Sequence, residues 1–303
     1  MRHFIDLLDW DGDQILKLLK EAARLKKAQL KGKTKRRLEG KVLGMIFEKP
    51  SLRTRVSFQA GMAQLGGEAV FLNGAEVGLG NRESLPDIAR TVCEYVDAVV
   101  LRTFQHENIV EFAHWASKPV INGLSDYHHP CQALGDLLTM RECVGDLAGK
   151  TMAFVGDGNN VARSLAIACG KVGVRFILAA PPNYRFDRPF VEMYETHVHG
   201  QLEEIDDPKK AVAGADLIYT DVWASMGQEA EAKERAKHFE AYQVNADLLK
   251  AAPEHAKVMH CLPAHRGEEI TDEVLDGPQS VVFPQAGNRM HAQKALLLWV
   301  MDV

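Results

Sequence analysis

Short apolar runs alternate with segments of helical spacing along this chain, and this alternation restricts its fold more than any other feature. In the first half, the predicted strands cover residues 42–47, 69–72, 98–103 and 120–121. The predicted helices there cover residues 11–31, 54–65, 85–95, 107–116 and 131–143. Strands that alternate with helices form parallel sheets joined by right-handed crossovers. The pattern therefore predicts the α/β class.

The alternation restarts after GDLAGK at 145–150, which indicates a second domain. The predicted strands of the second half cover residues 151–155, 176–178, 217–220, 258–260 and 281–283. A chain of 303 residues is long for one domain and suits two. We therefore predict two doubly wound domains with parallel sheets, 1–145 and 146–287. A C-terminal helix, 288–303, is predicted to pack back on the first domain.

Charge and composition narrow the functional class. The formal net charge of −5 argues against a nucleic-acid-binding protein, which usually has a strongly basic face. The run from 24 to 37 contains eight lysines and arginines and no acid, which we interpret as a solvated helix face, with nucleic-acid contact as the alternative. No apolar stretch approaches the roughly 20 residues of a membrane span, and the acidic N-terminus does not resemble a signal peptide. Five cysteines without a CxxC pair favour the reducing cytoplasm.

The stretch SLRTR at 51–55 lies where the first predicted strand gives way to a helix. Ligands of open α/β sheets bind beyond the carboxyl ends of strands, and a helix N-terminus favours an anion. Arg53 and Arg55 would add forked donors that suit a phosphate. The alternative is an ordinary helix cap beside two solvated arginines.

Two further strand ends in the first half offer similar chemistry. Arg102 lies near the end of the third predicted strand, directly after Val99-Val100-Leu101, although a lone arginine there can also be a surface residue. In HPCQ at 129–132, Pro130 suits the first turn of a helix. His129 and Gln132 lie three residues apart, so both side chains can reach one ligand. The alternative for His129 is a helix-capping role.

The second half contains one stretch that resembles a dinucleotide-binding loop and two that offer polar side chains. In VGDGNN at 155–160, Val161 stands where the third glycine of G-x-G-x-x-G would fall, which argues against a nicotinamide cofactor. Asp221 and Ser225 follow a predicted strand, and Cys261 ends another, with a buried structural thiol as its alternative. HVH at 197–199 lacks a third ligand nearby, so no metal site is predicted.

Taken together, these motifs resemble those of the ornithine carbamoyltransferases. SLRTR resembles the S-T-R-T-R loop of that family, HPCQ its H-P-x-Q, and DVWASMG at 221–227 its D-x-W-x-S-M-G. HCLP at 260–263 and NRMHAQKA at 288–295 match its closing motifs, in the family's order. The resemblance implies transfer of a carbamoyl group from carbamoyl phosphate to L-ornithine. It also implies a homotrimer that acts in arginine metabolism, in arginine biosynthesis or in arginine breakdown, and needs no metal and no cofactor.

The resemblance also implies roles for individual residues. It assigns 1–145 with 288–303 to carbamoyl phosphate and 146–287 to ornithine. The residues implied to contact carbamoyl phosphate are Ser51, Leu52, Arg53, Thr54, Arg102, His129, Pro130, Cys131, Gln132, Cys261, Leu262 and Arg289. Those implied to contact ornithine are Asn160, Asp221, Ser225 and Met226. The catalytic set is Arg102, His129, Asp221 and Cys261, with no nucleophilic role for the thiol.

Two positions depart from the family pattern. Leu52 replaces a usual threonine, which removes a hydroxyl but no backbone donor. Gly78 stands where a glutamine or histidine often reaches a neighbouring subunit, and we hypothesise that Arg82 partly replaces that contact. Restoring a glutamine at Gly78 should then lower the KM for carbamoyl phosphate. Two alternative functions are an amino-acid sensor that keeps the fold without catalysis and a nucleotide-dependent dehydrogenase.

Overall fold

The computed structural model describes residues 2–79, 82–224 and 231–303. The chain divides into two compact units. Unit 1 contains the described residues as far as Asp9, then Asp13–Leu138 and Gly287–Val303. Unit 2 contains Trp10–Gly12 and Thr139–Ala286. Each unit holds one parallel sheet, so the predicted class of two α/β domains with parallel sheets is confirmed.

The sheet of unit 1 has four parallel strands. They are β1 (Val42–Phe47), β2 (Glu68–Asn73), β3 (Ala98–Arg102) and β4 (Val120–Leu124), in the spatial order β2-β1-β3-β4. Every residue of the central strand β3 is buried, as expected for a strand covered on both faces. The carboxyl ends of β1 and β3 are adjacent, because Phe47 pairs with Arg102.

The helices of unit 1 cover this sheet. They are α1 (Gly12–Leu30), α2 (Leu52–Gln64), α3 (Gly74–Val77), α4 (Leu85–Cys93), α5 (His106–Trp115) and the start of α6 (Pro130–Val144). On α1 the buried positions recur at helical spacing, at Ile15, Leu18, Leu19, Ala22 and Leu25. The basic run 24–37 begins on α1 and continues beyond its end at Leu30, and six of its eight lysines and arginines are exposed, as expected for a solvated surface.

The sheet of unit 2 has five parallel strands. They are β5 (Thr151–Val155), β6 (Arg175–Ala179), β7 (Leu202–Ile205), β8 (Leu217–Thr220) and β9 (Lys257–His260), in the order β7-β6-β5-β8-β9. The helices are α7 (Asn160–Lys171), α8 (Arg188–His197), α9 (Pro208–Val212), α10 (Ala232–Phe239), α11 (Ala246–Leu249) and α12 (Asp272–Leu275). Within the described ranges, no helix is both long and apolar enough to cross a membrane.

Two strand assignments of the second half need correction. The predicted strand at 281–283 is wrong: the chain makes one bridge, between Val258 and Ser280, and then enters helix α13 (Val282–Val300). Three apolar residues are too few to distinguish a strand from the start of a helix. The edge strand β7 was not predicted, because two of its four residues are glutamates and its burial is only partial.

Helix α13 begins in unit 2 and continues into unit 1 from Gly287 onward. In unit 1 the buried Lys294 donates to Gln29 Oε1 at 2.9 Å and to Gln64 Oε1 at 2.8 Å. These bonds tie the helix to α1 and α2. The predicted return of the C-terminal helix to the first domain is therefore confirmed, although the helix starts six residues earlier than expected.

Candidate functional site

The junction of β1 and α2 confirms that SLRTR opens a helix. Ser51 is the N-cap of α2 in an extended conformation, and its hydroxyl accepts from the Thr54 backbone N–H at 3.3 Å. Leu52, the first helical residue, has a side chain that is 73% exposed. The remaining N–H groups of this first helical turn have no intrahelical acceptor, so they and the helix dipole provide a local preference for an anion.

The two arginines of SLRTR have different surroundings. The exposed Arg55 guanidinium lies over the Phe71 ring, 3.7 Å from its centroid. The half-buried Arg53 is close enough to His129 to lower the pKa of that imidazole. Of the two arginines, Arg53 lies near His129 and Arg55 covers an aromatic side chain, and a shared role toward one phosphate stays a prediction.

Thr54 and Arg289 form a buried polar contact in unit 1. Arg289 Nη2 donates to Thr54 Oγ1 at 2.7 Å, and the two residues are 2% and 1% exposed. Gly135 on α6 permits this approach, because a Cβ atom there would lie 3.0 Å from Arg289 Cγ and 3.1 Å from its Cα. The predicted residues Thr54 and Arg289, 235 positions apart, are thus brought together.

His129 is buried among three predicted arginines. Burial lowers the pKa of its imidazole well below the usual value, and the charges of Arg289, Arg102 and Arg53 lower it further. Arg102 ends β3, is 5% exposed, and its carbonyl accepts from Glu48 N at 2.8 Å. The surface alternative for Arg102 is therefore excluded. A neutral imidazole at this position has one N–H to donate and one nitrogen to accept.

The start of α6 places the rest of HPCQ. Pro130 is the first residue of the helix, and Gln132 Nε2 donates to Asp136 Oδ1 at 2.8 Å, which orients the amide. The Cys131 thiol instead donates to Asn122 O at 3.3 Å, and burial raises its pKa to about 12. The Cys131 side chain therefore packs inside unit 1, and only its main chain faces the helix start. Asp136 lies four residues after Gln132. Nothing in the sequence distinguished it from the other acidic residues of predicted helices.

Asp221 and Cys261 meet in unit 2 at the ends of β8 and β9. The Cys261 thiol donates to Asp221 Oδ1 at 2.8 Å, and the Val222 N–H donates to the same oxygen at 2.8 Å. Asn159 Nδ2 donates to the other oxygen, Oδ2, at 2.9 Å. Three donors thus hold a carboxylate that is 6% exposed. Cys261 is buried, as the alternative of a structural thiol requires. It nevertheless contacts Asp221, which is a predicted site residue.

Asn159, which was not predicted as a site residue, makes the contact with Asp221, and the ornithine contact of Asn160 stays a prediction. Asn159 also caps α7, because its Oδ1 accepts from Val161 N at 2.9 Å and from Ala162 N at 3.0 Å. Asn160 is the half-buried first residue of that helix. The asparagine pair at the start of a helix was the available signal, but it does not say which residue is the cap. The predicted residues Ser225 and Met226 lie outside the described residues.

A second buried charge pair lies beside this group and was not predicted. Asp157 pairs with Arg235, whose side chain is 6% exposed. Burial raises the Asp157 pKa to about 6, although Arg235 opposes the shift. Arg235 also donates to the carbonyl of Trp223 and lies 4.7 Å from the Tyr184 ring centroid. The pair therefore holds the residues that follow Asp221 against the loop after β5.

The Cys261-Leu262 main chain is fixed by a buried histidine. The Leu262 N–H donates to His260 Nδ1 at 2.8 Å, and Leu262 has a positive φ of 59°. His260 Nε2 lies 3.0 Å from Glu269 Oε1, and that oxygen also accepts from His265 N at 2.7 Å. The hydrogen bonds of His260 to Leu262 and Glu269 thus hold the backbone of the HCLP motif in place. His260 and Glu269 were not predicted to have this role.

The structure also restricts what can occupy position 78. Gly78 follows α3 in the left-handed conformation, with φ of 69°. A Cβ atom on Gly78 would lie 2.6 Å from Arg82 Cβ. Arg82 N donates to Gly78 O at 2.9 Å, so the two residues belong to one tight turn. The expectation that glutamine here simply improves binding is therefore corrected, because a side chain would strain this turn.

Known protein families and individual relatives match almost the whole length of this chain. The family model for the carbamoyl-P binding domain of aspartate/ornithine carbamoyltransferases matches residues 2–142, and that for the Asp/Orn binding domain matches residues 148–300. The anabolic ornithine carbamoyltransferase of Pyrococcus furiosus is 50% identical over 303 residues, covering 99% of this chain and 96% of that protein. The ornithine carbamoyltransferase of Symbiobacterium thermophilum is 50% identical over 304 residues, covering 99% and 98%.

Solved structures of ornithine carbamoyltransferases also match almost the whole length of this chain. The P. furiosus ornithine carbamoyltransferase superposes with a TM-score of 0.96 at 50% identity and covers 99% of this chain and 97% of its own. The anabolic ornithine carbamoyltransferase of Campylobacter jejuni superposes with a TM-score of 0.93 at 35% identity and covers 100% and 99%.

Proposed function

The chain belongs to the aspartate/ornithine carbamoyltransferase family, and we propose that it transfers the carbamoyl group of carbamoyl phosphate to the side-chain amine of L-ornithine. The products are L-citrulline and phosphate, as a step of arginine biosynthesis. The observation that carries this proposal is the 50% identity to ornithine carbamoyltransferases over 99% of the chain. The failed glycine pattern counts against a dehydrogenase, and the retained arginines count against a non-catalytic sensor.

In this proposal the phosphate lies at the start of α2. Ser51, Arg53, Thr54 and the Leu52 main chain hold its oxygens, and Arg289 joins them through its contact with Thr54. The support is physical: a helix N-terminus and guanidinium groups are the strongest donors for a phosphate dianion. Leu52 contributes only its backbone, which suits a side chain that is mostly exposed.

The carbamoyl group is proposed to lie against Arg102, His129 and Gln132, with the main chain of Pro130 and Cys131 beside it. The Cys261-Leu262 main chain is proposed as a further contact. His129 acts as a neutral donor to the carbonyl oxygen, because its surroundings disfavour the imidazolium. A donor aimed at the oxygen where charge develops contributes about 3–4 kcal/mol. Arg102 adds a permanent positive charge.

Ornithine is proposed to bind through Asn160, Asp221, Ser225 and Met226, with Cys261 beside its side-chain amine. That amine should titrate like lysine, near about 10.4, so holding it neutral at pH 7 costs about 4.6 kcal/mol. A dry site lowers this cost by disfavouring the ammonium. Asp221 and Cys261 then orient the amine, since their mutual hydrogen bond fixes both groups.

The chemical step balances without a covalent enzyme intermediate. The neutral amine nitrogen attacks the carbamoyl carbon, and the bond from that carbon to the phosphate oxygen breaks. The nitrogen loses one proton, which ends on the released phosphate. Arg53, Arg102 and Arg289 stabilise the departing phosphate. No step requires a metal or a cofactor.

The assembly and compartment belong to the same proposal. A homotrimer follows from the resemblance to the ornithine enzymes. A cytoplasmic location is supported by the five cysteines, all of which are free thiols, as expected in a reducing compartment.

A citrulline-formation assay with the purified chain tests the function directly. Ornithine should exceed putrescine, N-acetylornithine and aspartate in kcat/KM by at least about 100-fold, because polar groups built for an α-amino acid stay unpaired with the wrong acceptor. Sedimentation of the same sample measures the oligomer. Equal rates with putrescine would refute the ornithine assignment, and binding of ornithine without turnover would instead support a sensor.

A further inference from the structure

Three side chains of the metal-binding type meet in unit 1 without any role in the proposed reaction. Asp6, His106 and His128 each offer one ligand atom, and these three atoms lie within 4.8 Å of one another. They come from the N-terminal segment, the start of α5 and the turn before α6. Such convergence of distant chain segments is not explained by helical spacing or by a common strand.

The N-terminal segment is fixed where it presents Asp6. Phe4 N donates to Val120 O at 2.8 Å, and Asn122 N donates to Phe4 O at 2.8 Å, so the segment runs along β4. Asn122 Nδ2 adds a bond to Ile5 O at 2.9 Å. The Asp6 carboxylate accepts from Leu8 N through Oδ1 at 2.8 Å. One carboxylate oxygen is thereby oriented by the backbone.

Ser125 links the two histidines. His106 Nδ1 lies 2.9 Å from Ser125 Oγ, which also accepts from the His128 N–H at 3.1 Å. The His106 backbone N–H donates to Asp126 Oδ1 at 3.0 Å, and the two imidazole centroids are 5.1 Å apart. Outer contacts of this kind orient the histidines of metal sites.

The donor set determines which ion fits. Two imidazole nitrogens and one carboxylate oxygen suit zinc and related first-row ions, whereas calcium and magnesium prefer oxygens alone. Ligand bonds of about 2.0–2.2 Å in a tetrahedral site place the ligand atoms about 3.4 Å apart. The three ligand atoms lie within 4.8 Å of one another, so each pair would have to approach by at most about 1.4 Å to bind one ion.

We propose that Asp6, His106 and His128 bind one divalent transition-metal ion of the zinc class. The ion joins the N-terminal segment, α5 and the turn that leads into α6. It therefore has a structural role in unit 1, separate from carbamoyl transfer. Because His128 directly precedes His129, the ion also fixes the chain at the entry to the predicted site.

The test measures zinc binding to the whole chain after metal is removed with a chelator. Asp6→Asn keeps the acceptor for Leu8 N but removes the charge, and His128→Phe keeps a ring in a position that is 3% exposed. Each should weaken zinc binding by at least about 100-fold, more than the roughly 10–100-fold loss of an outer contact. Ser125→Ala should fall within that smaller range.

Zinc binding at the proposed site must be distinguished from zinc binding at a second cluster. Asp221, His260 and Cys261 also offer ligand atoms within 4.8 Å of one another. Cys261→Ser should leave the proposed site intact. Cobalt distinguishes the two: the proposed site gives visible ligand-field bands alone, whereas a thiolate ligand adds a sulfur-to-cobalt charge-transfer band. Titration with magnesium is the negative control.

Thermal unfolding provides an independent readout. Zinc should raise the Tm of the wild type and of Cys261→Ser, with a rise that grows with the logarithm of zinc concentration above Kd. It should not raise the Tm of Asp6→Asn. The proposal is overturned if the wild type binds no zinc, or if binding survives Asp6→Asn and His128→Phe but is lost in Cys261→Ser. If His128→Phe does not fold, Asp6→Asn decides the question alone.

Discussion

Replacing Thr54 by valine tests whether one hydroxyl serves both the fold of unit 1 and the proposed phosphate site. Valine keeps the branched shape of threonine and removes only the hydroxyl. In the structure that oxygen accepts from Arg289 Nη2 at 2.7 Å, in a position 1% exposed. A hydroxyl that accepts from a guanidinium still has its own hydrogen to donate, and we propose that it donates to the phosphate.

The magnitude follows from burial and charge. Loss of the acceptor leaves a buried, charged donor with one partner fewer, which costs about 1.5–3 kcal/mol of unfolding free energy. Loss of the donated hydrogen bond to the phosphate costs a similar amount, again about 1.5–3 kcal/mol, in transition-state stabilisation. The second term corresponds to a fall in kcat/KM for carbamoyl phosphate of about 10- to 150-fold.

Thr54→Ser is the matched control, because it keeps the hydroxyl and removes the methyl group. A Cβ atom placed on Gly123 would lie 3.6 Å from that methyl carbon, so the methyl group packs against β4. Its loss should cost about 1 kcal/mol of stability while kcat/KM stays within about threefold of the wild type.

Urea unfolding and initial-rate citrulline assays on both variants separate the two effects. Valine should lower stability and activity together, whereas serine should lower stability alone. If both variants show the same kcat/KM, the hydroxyl does not contact the phosphate and the role proposed for Thr54 is wrong. If valine leaves stability unchanged, the bond to Arg289 contributes nothing measurable to the fold.

Four further substitutions test other parts of the structure. Arg53→Ala should lower kcat/KM for carbamoyl phosphate by at least about 100-fold while unfolding in urea changes by less than about 0.5 kcal/mol; near-normal activity would refute its phosphate role. Asp157→Ala should lower the free energy of unfolding by about 3–5 kcal/mol, because it leaves the Arg235 charge buried; a loss below about 1 kcal/mol would contradict the pairing. Gly78→Gln should destabilise its turn by about 1–2 kcal/mol and raise the KM for carbamoyl phosphate, so a lower KM would restore the original expectation. Arg82→Ala should raise the KM for carbamoyl phosphate without dissociating the oligomer in sedimentation. An unchanged KM would mean that this turn does not contribute to the binding of carbamoyl phosphate.

The sheets were predictable because their strands are nearly continuous apolar runs. The strand Val42–Phe47 was predicted with both its bounds, since buried parallel strands leave little polar sequence to confuse the pattern. The partly polar edge strand Leu202–Ile205 was missed for the opposite reason. The start of α13 was misassigned because the apolar residues after Ser280 fit either type of element.

The local parts of the site were also predictable, since strand ends and helix starts can be read from neighbouring residues. Ser51 caps its helix and Pro130 begins another, as expected. Contacts between distant residues were accessible only through the resemblance. Nothing near Thr54 in the sequence indicates that Arg289 reaches its hydroxyl. Asn159, the cap of α7, was not singled out, because either residue of an Asn-Asn pair can cap a helix.

The arrangement around His129 explains why these distant contacts matter for the chemistry. The positive charges of Arg53, Arg102 and Arg289 all lower the pKa of that imidazole. All three charges therefore act on the buried His129 side chain. Guanidinium groups cannot lose their charge at neutral pH, and their mutual repulsion in a buried site opposes folding. In the proposed function a phosphate dianion offsets that repulsion, so the same charges would favour the binding of carbamoyl phosphate. In the same proposal the neutral His129 supplies a hydrogen bond to the carbonyl oxygen without adding a fourth positive charge.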